Sequence, residues 1–356
     1  MIRIMHICSD SIVGGACVTL LRIIKNADKK AFRHIVVLPE ANPLYSEFAQ
    51  LDIDLLPLKA PHDRSFTLRG VHFCLKAIRK YHPDIIHTHG AVFGRIAGYI
   101  GGVRSLVYTR HTYADKKVSF LARSINKRTA SVAVAVSPAV VTQITASGIP
   151  ESRIRIIENG CDDMSCEGAH VHSVDSKCRL LYLGRLTEEK GIKLALEAFS
   201  ILKRESNEYS LYFVGDGEMK EYIDSYIADN GLSDSVSCSS FRSDIKNVLS
   251  ECDVLLNCSY KNEAASVAIM EAFSAAIPVC ASNIGGNAHI VTQGVDGILY
   301  ESGNANALAE AIHTAVAQYT ELSVNAKETY ARRFQVSRMV LGYESLWKEE
   351  YERIKS

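Results

Sequence analysis

The chain has 356 residues, long for one domain and comfortable for two. Its 47% hydrophobic content and its balance of 40 basic against 40 acidic residues exclude a disordered or fibrous chain. No apolar run approaches the roughly 20 residues of a membrane-spanning helix. The short apolar start, Met1 to Ile7, reads as a first strand and not as a signal peptide, so a cytoplasmic protein is expected.

The zero net charge hides an asymmetry. Residues 1–164 carry 22 Lys/Arg and 13 Asp/Glu (22 − 13 = +9), and the remainder carries 18 and 27 (18 − 27 = −9). Basic residues gather at Arg64 to Lys80 and Arg110 to Arg128. In the second stretch Lys116, Lys117, Arg123, Lys127 and Arg128 interleave with Val118, Phe120, Leu121 and Ile125. Two readings stay open for this amphipathic basic helix: a surface for anionic lipid, or a face packed on its own domain. Nucleic acid is not expected, because no recognition module accompanies the charge. The ten cysteines stand singly, with no CxxC pair and no zinc-ligand spacing, so reduced structural thiols are expected.

In chain order, strands are predicted at Ile4 to Cys8, His34 to Leu38, Ile85 to Thr88, Ser105 to Thr109, Val132 to Val136 and Ile154 to Ile157. Helical patterns lie between them, as at Val18 to Lys25 and Gly70 to Tyr81, and Ser137-Pro138 reads as a capped helix start. Asp162 to Lys177 lacks an apolar period and reads as a linker. The pattern then restarts, with strands at Leu180 to Leu183, Tyr212 to Val214, Val254 to Asn257 and Val279 to Ala281. Helices are predicted at Ile192 to Arg204, Met219 to Asp229 and Ile269 to Ala275, and Met339 to Ile354 adds a last amphipathic helix. Such alternation predicts parallel sheets covered by helices, whose ligands bind at the carboxyl ends of strands.

Three loops at such strand ends carry chemistry. Gly14-Gly15 precedes a helix, where backbone can approach an anion closely, although a tight turn explains it equally and the GxGxxG fingerprint is absent. Gly184 to Gly191 (GRLTEEKG) sets Arg185 and Lys190 where they suit a diphosphate, or where Glu188 and Glu189 neutralise them in a solvated turn. Glu263 to Glu271 (EAASVAIME) places one carboxylate before a helix start and one inside it, with small residues between that leave backbone N–H groups open to a phosphate. Two glutamates eight apart also occur by chance.

Together these features resemble the family-4 retaining glycosyltransferases of GT-B fold. The order matches over nearly the whole chain: Gly14-Gly15, Asp84-Ile85-Ile86-His87-Thr88-His89, His111, Asn159-Gly160-Cys161-Asp162, Gly184 to Gly191, Glu263 to Glu271, Pro278-Val279 and Gly285-Gly286. The resemblance implies an α/β protein with two Rossmann-like domains facing each other across a deep cleft. Residues 1–165 would bind acceptor, 166–335 would bind the nucleotide sugar, and the helix in 336–356 would return to the first domain.

It further implies that Glu263 and His111 are catalytic, Glu263 at the transferred sugar and His111 on the opposite wall. Arg185, Lys190, Gly14, Gly15, Ser266 and Val267 would hold the diphosphate and Glu271 the ribose. The base would rest at Gly215, Phe241 and Arg242. No cofactor or metal is implied, since Arg, Lys and a helix start stabilise the leaving diphosphate. The implied reaction moves a hexose or N-acetylhexosamine, with retention, from a nucleotide sugar to a saccharide acceptor. UDP-sugar is the favoured donor and GDP-mannose the other, and a lipid-linked acceptor at the inner face of the membrane suits the basic first half. The chain departs from the family at Ala288-His289, where Pro-Glu is usual, at Ser240 in place of glycine, and at Cys258 in place of proline. His87 is expected to be buried and His89 is a secondary candidate.

Rival readings keep the fold and change the chemistry: a nucleotide-sugar epimerase, a phosphorylase-like enzyme, or a non-catalytic nucleotide-sugar binder. A metal-dependent transferase would draw on Asp52-Ile53-Asp54, a DxD match that also fits an alternating strand.

Overall fold

Seven strands build the first sheet: β1 (Ile2–Cys8), β2 (Phe32–Leu38), β3 (Asp54–Pro57), β4 (Ile85–His89), β5 (Ser105–Arg110), β6 (Val132–Ala135) and β7 (Ile154–Ile156). They pair in parallel in the order β3-β2-β1-β4-β5-β6-β7. A parallel sheet needs crossover helices on both faces, which is why its strands read as nearly continuous apolar runs. On one face of β1, Met5 and Ile7 pack with Cys74 and Ile78 of helix Leu68–Tyr81 and Phe93 and Ala97 of helix Val92–Ile100. On the other, Ile4 joins Ile23 of helix Gly15–Asn26 and Met339, Tyr343 and Trp347 of the last helix, Val336–Lys355. The computed structural model describes residues 1–11, 14–59, 65–113, 118–166, 177–206, 208–261 and 263–356.

The last helix belongs to this first unit, which comprises Met1–Gly160 and Val336–Ser356. Its buried residues recur at helical spacing, and polar anchors fix its register. The backbone N–H of Asp28 donates to Glu344 Oε1 at 2.7 Å, and the Ser105 and Ser131 hydroxyls donate to Glu350 Oε2 at 2.7 and 3.0 Å.

The second unit, Cys161–Gln335, repeats the design. Its strands are β8 (Cys178–Leu183), β9 (Tyr209–Val214), β10 (Val236–Ser239), β11 (Val254–Asn257), β12 (Val279–Ser282) and β13 (Gly297–Tyr300), all parallel in the order β10-β9-β8-β11-β12-β13. Leu180 and Tyr182 face one apolar layer and Leu181 the other. Both sheets therefore share the strand order of a doubly wound Rossmann-like fold.

The structure adds β10 and β13, which no sequence pattern announced. Val236-Ser237-Cys238-Ser239 offers little apolar signal, and Gly297 opens β13 with a residue that ordinarily weakens strands. Ser137 makes no side-chain cap; Pro138 instead opens a short 3₁₀ turn, Pro138–Val140, that leads into helix Val141–Ala146. The chain passes between units at Gly160–Cys161 and not near 165. The Cys161 N–H already donates to the Phe334 carbonyl at 2.9 Å, and the Tyr330 hydroxyl donates to the Cys161 carbonyl at 3.2 Å. The described part of the expected linker is anchored as well. The Ser165 hydroxyl and Lys327, whose Nζ lies 2.9 Å from Asp163 Oδ1, outweigh partial burial and hold the Asp163 carboxyl down to about 2. Residues 167–176 lie outside the described residues.

Candidate active site

In each sheet the strand order reverses at one point, between β1 and β4 and between β8 and β11. Loops leaving such neighbours diverge to opposite faces and open a crevice at their carboxyl ends. The loop after β8 is Gly184 to Gly191 and the loop after β11 contains Glu263 and Ser266, so the topology itself brings these two segments together.

Their contact is direct. Lys190 Nζ donates to Glu263 Oε2 at 2.7 Å, and the Ser259 hydroxyl donates to the same oxygen at 2.9 Å. The pair is largely out of solvent, with side-chain exposures of 19% and 8%. Gly191 makes this approach feasible: its φ is +74°, and a Cβ there would stand 2.0 Å from the Cys258 carbonyl oxygen. From below, the Tyr182 hydroxyl donates to the Lys190 carbonyl at 3.0 Å. From the β12 side, Gly286 N–H donates to the Glu263 carbonyl at 2.9 Å, and a Cβ on Gly286 would lie 1.9 Å from the Ala264 carbonyl oxygen.

Helix Val267–Ser274 starts beside this pair. Ser266 at its N-cap makes no side-chain cap; its hydroxyl instead accepts from Asn257 Nδ2 at 2.9 Å. The helix start thus keeps its partial positive charge unspent by Ser266, a setting that favours an anion near Val267. Asn257 is held by Asn287, whose Nδ2 donates to Asn257 Oδ1 at 3.1 Å and to the Ser282 carbonyl at 3.1 Å. Glu271 is buried one turn into the helix. Arg185 pairs with Glu189 at 3.3 Å on the surface, a link weak enough for an anion to displace. Near Gly215, Asp216 Oδ2 accepts from the Phe241 N–H at 3.0 Å, which fixes the half-exposed Phe241 ring beside that turn. Arg242 is clamped by Asp244 through its Nε at 2.8 Å.

The first unit gathers histidines at its own switch point. His6 on β1, His34 on β2 and His87 and His89 on β4 are buried, and His111 follows β5. His89 Nδ1 lies 3.0 Å from His111 Nε2, His6 Nε2 lies 3.0 Å from His34 Nδ1, and His87 Nε2 lies 2.7 Å from the Thr109 hydroxyl. Burial pushes His34 and His111 down to about 4 and His87 to about 3, and holds His6 and His89 well below the ordinary 6.5. Gly14 is the N-cap of helix Gly15–Asn26, with open space where its Cβ would be. Asp54 is spent on Arg33, at 2.9 Å from its Nε, on the edge strand β3.

These depressed values carry a sign for stability. The folded state keeps the imidazoles neutral, so their contribution is complete above the unfolded value of 6.5. As pH falls from 6.5 towards 4 the unfolded chain takes up protons that the folded chain refuses, costing about 1.4 kcal/mol per pH unit for each imidazole. Calorimetry is expected to show a first-unit transition that is flat above pH 7 and drops steeply between pH 6.5 and 4.5; an equally flat profile through that window would contradict it.

Two Rossmann-like units, the second with a loop carrying Arg185 and Lys190, an uncapped helix start and two buried glutamates at its switch point, define a GT-B glycosyltransferase fold. The family described as "Glycosyl transferases group 1" matches residues 171–333, and "Glycosyltransferase Family 4" matches residues 13–164. The chain belongs to this family-4, group 1 glycosyltransferase family. It is 30% identical over 174 residues to the amylovoran biosynthesis glycosyltransferase AmsK of Erwinia amylovora, covering 47% of this chain but only 43% of that one. It is 29% identical over 262 residues, 67% of each chain, to an Escherichia coli UDP-Gal:alpha-D-GlcNAc-diphosphoundecaprenol alpha-1,3-galactosyltransferase. A glycosyltransferase of Rickettsia africae superposes with a TM-score of 0.81 at 20% identity over 98% of both chains. Anabaena HepE, solved with UDP and glucose, superposes with a TM-score of 0.80 at 22% identity over 98% of this chain and 100% of that one.

Of the sequence-derived site residues, the structure brings Lys190, Glu263 and Ser266 into one polar cluster, and Gly215 and Phe241 onto adjacent turns. Asn257, Ser259, Asn287 and Tyr182 complete that cluster and were not foreseen. Asn257 and Ser259 flank the carboxyl end of β11, a position that alone could have flagged them. Lys116 and Lys117 lie outside the described residues.

Proposed function

We propose that the chain is a retaining, metal-independent hexosyltransferase. It moves a hexose or N-acetylhexosamine from a nucleotide sugar to a saccharide acceptor, lipid-linked, in the assembly of a surface polysaccharide or glycolipid. The observation that carries this reading is the largely buried Lys190–Glu263 pair beside the start of helix Val267–Ser274, which no side chain caps. Glu263 also accepts from Ser259, so that Lys190 and Ser259 both hold the same oxygen, Oε2, beside the helix start.

In this mechanism the donor diphosphate lies between Arg185, Lys190 and the N–H groups at Ser266 and Val267. There the charge that develops on the leaving group is met by fixed donors. Glu271 holds the ribose, and Phe241, with Gly215 and Arg242, holds the base. Glu263 and His111 orient the sugar while its anomeric bond breaks through an oxocarbenium-like state, and the acceptor attacks from the face the diphosphate leaves. Cationic side chains and a helix start take the place a divalent ion fills elsewhere. The UDP bound by the Anabaena neighbour and the UDP-Gal named for the E. coli relative favour a UDP donor over GDP-mannose.

The test is a panel of UDP- and GDP-sugars with a polyprenyl-diphosphate saccharide acceptor in excess chelator, with product anomers read by NMR. Transfer with retention is expected. An inverted product, a metal requirement, or conversion of donor without acceptor would overturn the reading, the last in favour of an epimerase.

Helix Phe120–Thr129 supports a membrane contact. Phe120 and Leu121 are 88% and 70% exposed beside exposed Arg123, Lys127 and Arg128, an apolar wedge with a basic rim. Among the described residues no helix is long and apolar enough to cross a membrane. Phe120→Ser with Leu121→Ser is expected to lower co-sedimentation with anionic vesicles about tenfold without changing thermal stability; unchanged binding would remove this surface from consideration.

A further inference from the structure

The four histidines His34, His6, His89 and His111 form a line. His34 Nδ1 meets His6 Nε2 at 3.0 Å, His6 Nδ1 meets His89 Nε2 at 3.5 Å, and His89 Nδ1 meets His111 Nε2 at 3.0 Å. Ring centroids are 5.2, 5.7 and 5.2 Å apart with interplanar angles of 36°, 31° and 25°. In each link the centroid separation exceeds the N···N distance by the same margin, two centroid-to-nitrogen radii, so the nitrogens lie on the line between rings. Rings are joined head-on, with planes tilted by 25° to 36°, which is hydrogen-bond geometry. A metal held by His6, His87 and His89, whose nitrogens also cluster, would instead need lone pairs converging on a common point.

A neutral imidazole has one N–H and one lone pair. In a head-on chain each ring therefore dictates the tautomer of the next. Two states alone satisfy every link: N–H on all four Nδ1 atoms, or on all four Nε2 atoms. The atoms left over are His111 Nδ1 at one end and His34 Nε2 at the other, and both are buried without a partner among the described residues.

The ends decide between the states. Trp347 packs edge-on to His34 at 5.7 Å, and its own indole N–H has no partner among the described residues. Either state leaves one N–H unpaired, on His34 Nε2 or on His111 Nδ1; on His34 it would stand beside the already unpaired Trp347 indole N–H in the same part of the core, whereas a lone pair there is the cheaper orphan. At the other end the N–H would stand on His111 Nδ1, also buried and unpartnered among the described residues, but on a residue that is only partly buried as a whole and away from the Trp347 indole.

We propose that His34, His6 and His89 are positioning residues that lock His111 as its Nδ1–H tautomer, so that it presents a hydrogen-bond donor to a ligand oxygen. No ring acquires a charge in this arrangement. Passing to the other state requires one proton to leave at His111 Nδ1 and one to enter at His34 Nε2, with three protons hopping between rings. The chemical consequence for transfer rests on the assignment of His111 to the sugar, but the tautomer chain does not.

Long-range ¹H–¹⁵N spectra of the full chain with labelled histidine, taken without donor, read the tautomers directly. All four rings are expected to show a protonated Nδ1 and a bare Nε2. A mixture of tautomers among them, an Nε2–H form of His111, or stoichiometric zinc in the purified protein would overturn the proposal. His6→Leu cuts the chain two links from His111. It is expected to shift the His111 ring ¹⁵N signals towards a tautomer mixture and to lower kcat about tenfold at unchanged donor KM. An unaltered His111 spectrum in a folded His6→Leu variant would refute coupling. An altered spectrum with wild-type kcat would retain the chain and refute the role of His111 in transfer.

Discussion

Glu263→Gln is expected to lower the transfer rate by about 10²- to 10³-fold while UDP binding stays within a few-fold of wild type. The side chain keeps its shape and the Ser259 hydroxyl keeps an acceptor, so the cluster stays packed. What disappears is the negative charge that a developing oxocarbenium ion would feel at close range in a site largely shielded from water. An interaction made only as the anomeric bond breaks shows in kcat and not in donor affinity. Steady-state kinetics beside UDP calorimetry separates the two; wild-type turnover by Glu263→Gln would end the assignment.

Lys190→Met is expected to fail in a different way, losing both donor affinity and stability. Glu263 would remain buried as a carboxylate with its cation gone, a situation that costs about 3 to 5 kcal/mol in a fully buried pair. Here about 2 to 3 kcal/mol is expected, because Lys190 is still 19% exposed and Ser259 continues to donate. Adding Glu263→Gln to Lys190→Met removes the stranded charge, so the double variant is expected to recover most of the lost melting temperature and none of the activity. If the single and double variants melt together, the 2.7 Å contact contributes nothing as a charge pair. Such a cycle also separates stability from phosphate recognition, since UDP affinity should stay low in both.

This pairing bears on how the site is kept before a donor arrives. Two opposite charges at the helix start neutralise each other, which preserves the open N–H groups without an unpaired ion beside them. In the proposed mechanism a diphosphate would compete for Lys190 and release Glu263 towards the sugar, so that one residue pair would link donor binding to the readiness of the carboxylate. Arg185 differs: its surface link to Glu189 is weakly held, and it can turn to phosphate at little cost.

Much of this was legible in the chain itself. Alternating apolar runs and helical periods determined two parallel αβ halves, because strands buried on both faces must be continuously apolar. The Gly184 to Gly191 and Glu263 to Glu271 segments were visible as strand-end loops with the residue types a diphosphate and a sugar require. β10 and β13 were not visible, since Val236–Ser239 and Gly297–Tyr300 owe their pairing to neighbours and not to their own composition. Nor was the Lys190–Glu263 contact, which joins residues 73 apart and exists only because β8 and β11 are adjacent at the switch point. The line of histidines is the extreme case. His6, His34, His89 and His111 have no common spacing in sequence. Parallel register sets His6 beside His87 on β4, and the adjacency of β2, β1, β4 and β5 brings His34, His89 and His111, which follows β5, within hydrogen-bonding reach. Periodicity determined which faces are buried; only strand order determined which polar groups meet there, because it decides which distant segments share a crevice.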